Sequence, residues 1–202
     1  MISIKKEKKL REKYKHVIAV DFAGITSLAG PLIISVLEIK KRIPNIKPFR
    51  KISLEESYKL FKKIWNESDN ITIGEVSPKE IEVNGIRNSI QIGIERTMKY
   101  FIETKSFKTD ECIFLIDFFK YEEDNLNTLS ILDGDKKIYS IACASIIANV
   151  LYRRYMKRIH AEYPIFNWDK NFGYKDEKHI TTLKNRGASL FHRNVDKYIE
   201  NY

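Results

Sequence analysis

Two short apolar runs narrow most sharply what this chain can fold into. Val17 to Asp21 and Cys112 to Ile116 are almost free of polar residues, and they run into Asp21 and Asp117 respectively. A half-exposed strand alternates apolar and polar residues; these do not, so both of their faces must be covered. Leu32 to Ile39 reads the same way, and Ile71 to Val76 reads as a further strand ended by Ser77-Pro78. Between them the spacing turns helical. Ser53, with Glu55 and Glu56 behind it, caps a helix carrying Leu54, Tyr58, Leu60, Phe61, Ile64 and Trp65. Ile86, Ile90, Ile94, Met98 and Ile102 recur one turn apart. Residues 120–139 are polar and turn-rich, with Asp133-Gly134-Asp135 as a tight turn. A long helix is predicted over about Ser140 to Ala161, and a last one over Asp176 to Asn185, closed by Gly187. Strands alternating with helices predict an α/β sheet protein.

At 202 residues, with no repeat or low-complexity linker, the chain reads as one domain spanning 17–202. A basic N-terminal arm, 1–16, precedes it, with Lys5, Lys6, Lys8, Lys9, Arg11, Lys13 and Lys15 against only Glu7 and Glu12. Such an arm either holds phosphates or is a solvated end. The net charge of +9 biases the whole toward polyanions. No apolar run is long enough for a membrane span and no leader is visible, while Cys112 and Cys143 lie in apolar stretches like free thiols. These features predict a cytoplasmic protein with no membrane partner.

Carboxylates at strand ends are where α/β proteins place metals, although an aspartate there also serves as an ordinary turn residue. The surrounding motifs add weight to the metal reading of the pair. Val20-Asp21-Phe22-Ala23-Gly24-Ile25-Thr26-Ser27-Leu28-Ala29-Gly30-Pro31 resembles the opening strand of ribonuclease HII, D-E-A-G-R-G-P-L-A-G-P. Ser77-Pro78-Lys79-Glu80-Ile81-Glu82 and Phe114-Leu115-Ile116-Asp117 are similar to two further segments of that family. Gly134 to Val150, with its S-I-A-x-A-S-I-x-A core, is close to a third. Glu162-Tyr163-Pro164, Phe172-Gly173-Tyr174 and Phe191-His192-Arg193 follow in the family's order.

The resemblance implies a ribonuclease H-like fold, a central mixed β-sheet flanked by helices with a C-terminal helical segment. In that family four carboxylates hold two Mg²⁺ or Mn²⁺ ions that hydrolyse RNA in RNA–DNA hybrids. Carried over residue by residue, Asp21 and Asp117 are the retained first and third carboxylates. Phe22 stands at the second, and the resemblance puts Arg153 at the fourth. Paired metal binding is therefore expected to be weakened or lost, with Arg153 folding back toward Asp21 and Asp117 as a fixed counter-ion. Gly24 and Tyr174 match the family's readers of the 2′-hydroxyl. Ile25-Thr26 do not, and Thr26 adds a Cβ where a bare backbone is needed. Arg50, Lys51, Lys137 and Ser140 match positions that contact nucleic-acid backbone.

Three readings follow. The first is a ribonuclease HII-like protein with a degenerate site that still binds hybrid or duplex nucleic acid. The second is an active endoribonuclease in which another acid, such as Glu75 or Asp135, replaces a lost ligand. The third is a scaffold whose old groove now meets a protein partner.

Overall fold

The computed structural model describes residues 2–195. Five strands form one sheet in the order β3-β2-β1-β4-β5: β1 (His16–Ala23), β2 (Leu32–Glu38), β3 (Asn70–Val76), β4 (Cys112–Asp117) and β5 (Asn127–Ile131). β1 runs antiparallel to β2, and β2 to β3, whereas β4 lies parallel to β1 and β5 parallel to β4. The sheet is therefore mixed. Every residue of β1 and β2 is buried, as their unbroken apolar character requires.

Seven helices complete the described chain: α1 (Lys5–Arg11), α2 (Leu54–Glu67), α3 (Pro78–Lys105), α4 (Gly134–Lys137), α5 (Tyr139–His160), α6 (Trp168–Asn171) and α7 (Glu177–Arg186). α5 lies across β1 and β2 on one face, with α2 packed beside it, and α3 covers β2 and β3 on the other. Strand alternation divides the core accordingly. Val17, Ala19, Ile113 and Leu115 join Ile141, Ala144 and Ile147 of α5. Ile18, Val20, Phe114 and Ile116 join Ile90, Ile94 and Met98 of α3. A third cluster, with Met156, Phe166, Trp168 and Leu183, seats α6 and α7 against the end of α5.

Ser53 caps α2 by accepting from the backbone N–H of Glu56. Ser77 and Glu80 form a reciprocal capping box, so α3 begins at Pro78, well before the Ile86 stripe, and breaks its helical path once, at Gly85 with φ +72°. Two expectations need correction. The segment 120–139 contains a strand, β5, which pairs with β4 despite its polar Asn127, Thr128 and Ser130. The basic segment 1–16 is folded onto the domain as far as its described residues go: Ile2, Ile4 and Leu10 pack on the core, and His16 already lies in β1. Glu7 is buried and accepts from the Ser140 N–H in the first turn of α5.

Candidate functional site

The site begins with strand register. β1 and β4 pair in parallel from His16 opposite Cys112 to Val20 opposite Ile116, so the next residues, Asp21 two before the end of β1 and Asp117 at the end of β4, lie on adjacent strands. Alternation turns both toward α5. Phe22 turns the other way, into the α3-side core, where its ring meets Phe119 edge-on with centroids 6.5 Å apart. The position that the resemblance matches to a second carboxylate thus holds a core aromatic.

Asp21 is 5% exposed. One of its oxygens accepts from the Phe22 N–H at 2.6 Å, and the Ser145 hydroxyl donates to the same carboxylate from α5. Burial, and then the charge of Asp117, push the Asp21 carboxyl well above the ordinary aspartate range. Asp117 accepts from the Gly134 N–H at 2.5 Å; burial raises its carboxyl too, against that hydrogen bond, with Asp135 and Asp133 adding to the rise. Asp135 in α4 is also raised by burial, opposed by Lys136 and Arg50. Asp21, Asp117 and Asp135 all line one cleft of about 350 Å³. Its walls bring Ser145, Asn149, Arg50, Lys136 and Tyr174 around the acids, with Ile25, Thr26, Phe118 and Leu132 as apolar or neutral edges.

The structure moves one assignment. Arg153 does not fold back on Asp21 and Asp117; its guanidinium packs 4.7 Å from the ring centres of both Phe49 and Phe172. Stacking on two rings holds the flat group away from the strand ends. The acid that joins the pair is Asp135, carried there by the turn after β5, while Glu75 in β3 faces Arg158 and does not line the cleft.

The phosphate-contact set is also divided. Gly24, Arg50 and Tyr174 line the cleft. Lys51 is exposed next to Arg50 but outside the lining. Lys137 donates to the Leu132 carbonyl, and its neighbour Lys136 occupies the cleft wall instead. Ser140 is fully buried, which removes it from any nucleic-acid contact: α1 covers it, and its N–H is spent on Glu7.

The loop between β1 and β2 is set by a residue that sequence reasoning passed over. Arg193 is buried and donates to the carbonyls of Gly24 (2.5 Å), Ser27 (3.4 Å), Gly30 (2.6 Å) and Pro31 (2.6 Å). Burial lowers its pKa to about 10. The Tyr152 hydroxyl lies within hydrogen-bond distance of Ser27 Oγ and of the Ala29 and Phe172 carbonyls, with its single proton to give, while the Ser27 hydroxyl donates to the Ala29 carbonyl. Gly24 has φ +93°, and a Cβ there would lie 2.5 Å from the Pro31 carbonyl oxygen. The Phe191-His192-Arg193 motif was the available signal for this staple.

Behind Tyr174 lies a chain of neutral imidazoles. The Ser189 N–H donates to His192 Nδ1, which leaves the proton of His192 on Nε2, 3.0 Å from His179 Nε2. His179 Nε2 also receives the Trp168 N–H, so its own proton is on Nδ1 and meets the Tyr174 carbonyl at 3.0 Å. Every ring nitrogen is satisfied only when both histidines are neutral.

The acids fit a divalent cation in charge and in donor chemistry: they are desolvated hard oxygens that repel one another. They do not fit a four-carboxylate, two-ion set, because Phe22 brings no oxygen. Among the described residues, no three His, Cys, Asp or Glu side chains converge closely enough to hold an ion unaided.

A family model described as Ribonuclease HII matches residues 18–198. Among curated relatives, the ribonuclease HII of Caldicellulosiruptor bescii is 35% identical over 189 residues, covering 93% of this chain and 89% of that protein. The ribonuclease HII of Sulfurihydrogenibium sp. strain YO3AOP1 is 37% identical over 182 residues, covering 89% of each. Among solved structures, a chain of the PCNA:RNase HII complex from Archaeoglobus fulgidus superposes with a TM-score of 0.72 at 18% identity, over 89% of this chain and 94% of that one.

Proposed function

The chain belongs to the ribonuclease HII family, and from that premise we propose that it binds RNA–DNA hybrid or duplex nucleic acid in the cleft while its hydrolytic step is impaired. One observation carries this reading: the end of β1 presents Asp21 to the cleft and commits Phe22 to the core, so one ligating carboxylate is absent from an otherwise assembled site. Asp21 and Asp117 would hold a single Mg²⁺ or Mn²⁺, with Asp135 beside them. When bound, such a cation activates water and offsets charge on the leaving oxygen.

The chain's own groups do the rest. Ser145 orients the Asp21 carboxylate, and the Gly134 N–H orients that of Asp117. Arg50 and Lys136 offer positive charge to backbone phosphates at the cleft wall. Tyr174 and Gly24 retain part of a sugar-facing wall, while the side chains of Ile25 and Thr26 weaken selection for the 2′-hydroxyl. Among the described residues no helix is long and apolar enough to cross a membrane, and both cysteines are free and buried, which suits our assignment to the cytoplasm.

A second reading is favoured by the placement of Asp135, which gives the site a third acid and supports slow cleavage through a rearranged set. Incubating the purified protein with a duplex carrying one embedded ribonucleotide, in Mg²⁺ and in Mn²⁺, separates the two. Impairment predicts binding with no more turnover than Asp21→Asn shows. Turnover abolished by both Asp21→Asn and Asp135→Asn would establish the second reading instead.

A further inference from the structure

Arg153 carries a positive charge that the folded chain does not use. Its guanidinium lies against the rings of Phe49 and Phe172, and among the described residues neither a carboxylate nor a hydrogen-bond acceptor engages it. Three other cations do have such partners: Arg96 pairs with Glu80, Lys136 with Asp133, and Arg193 with loop carbonyls. Arg153 remains charged, since its half-burial lowers but does not abolish the high basicity of a guanidinium.

Its place in the fold gives that charge a use. Phe49, on which it stacks, lines the cleft; so does Asn149, one turn earlier on α5. Tyr174, another cleft residue, is near enough to act on its charge. Stacking covers the faces of a guanidinium and leaves its N–H groups pointing outward from the edges. The two rings also fix a side chain that would otherwise be ordered only on binding. A planar fork held in this way matches two oxygens of a phosphodiester, and partial desolvation strengthens the attraction.

We infer that Arg153 binds a backbone phosphate of the nucleic acid held in the cleft, an inference that rests on the binding reading above. Such a contact contributes to affinity and is indifferent to base sequence.

The test is fluorescence anisotropy of a labelled RNA–DNA hybrid with the full chain, across a salt series, with Ca²⁺ replacing Mg²⁺ so that the probe stays intact. Arg153→Gln is expected to raise Kd about 3- to 10-fold and to reduce the slope of log K against log salt by about one unit. Arg153→Lys should keep the slope and lose part of the affinity, because it keeps the charge without the fork. Arg96→Ala, on the opposite face of the sheet, should change neither. Parental Kd and slope in a folded Arg153→Gln overturn the inference and leave the binding reading intact. A parent that fails to bind at low salt overturns both. Should Arg153→Gln not fold, Arg153→Lys decides: parental affinity in that variant counts against the phosphate fork.

Discussion

Asp21 and Phe22 are consecutive, yet they serve opposite faces of the sheet: the carboxylate reaches Ser145 of α5, and the phenyl ring meets Phe119 beside α3. The substitution at position 22 therefore changes two environments at once. It removes an oxygen from the neighbourhood of the acids, and it extends an apolar cluster to the cleft's floor.

Restoring the carboxylate should expose both effects. Phe22→Glu is expected to destabilise the protein by about 2–4 kcal/mol, from lost packing and a partly buried charge beside two other acids. Millimolar Mn²⁺ should recover part of that loss, and should raise the melting temperature of the variant more than that of the parent. Differential scanning calorimetry with and without the metal measures both. A variant that gains no more from Mn²⁺ than the parent does would remove position 22 from the metal site.

Asp21 and Asp117 titrate in the sense of a strained pair. Their carboxyls are raised in the fold, so the native state holds protons that the unfolded chain gives up. Their contribution to stability is fully present below the ordinary aspartate range and is lost as pH rises through the raised values. Asp21→Asn should accordingly melt higher than the parent at neutral pH in metal-free buffer, and the gain should shrink as pH falls from the raised values toward about 4, where it vanishes. Melting curves at several pH values check the sign.

The histidine chain predicts the opposite dependence. His192 is lowered from 6.5 to about 4, first by burial and then by His179, so the native state resists a proton that the unfolded chain accepts. Its contribution is present above pH 6.5 and is lost as pH falls toward 4, amounting to roughly 3 kcal/mol over that window. His192→Gln should flatten this part of the denaturation profile relative to the parent. An unchanged slope in the variant would assign the acid sensitivity to another group.

Arg193→Lys should cost about 2–4 kcal/mol, because an ammonium cannot reproduce the spread of four carbonyl contacts and leaves some of them unmet. Urea denaturation gives the stability change. Hybrid affinity should fall in parallel, since the same carbonyls set the position of Gly24 and Thr26 in the cleft.

The layered sheet was legible because its inner strands are apolar on both faces and its main helices carry clean caps, as at Ser53. β5 was not, because Asn127, Thr128 and Ser130 are half-buried at a sheet edge and look like loop residues. Asp21 and Asp117 were readable as strand-end acids. Asp135 was harder to place, since only the path of the chain after β5 brings it beside Asp117. Ser145, Asn149 and Arg153 lie one turn apart on α5, but the cleft takes in only the first two, and aromatic stacking holds the third. Ser140 misled for a related reason: a local motif does not reveal that a distant helix will cover it.

The staple made by Arg193 has a consequence for how the protein is made. Its partners lie 162 to 169 residues upstream. Strands β1 and β2 leave the ribosome early, but their connecting loop cannot take its final shape until the last stretch of chain has been translated. A nascent protein therefore exposes the paired acids long before the wall that would hold a strand against them, and premature termination shortly before Arg193 should yield a chain with most of its sheet and no competent groove.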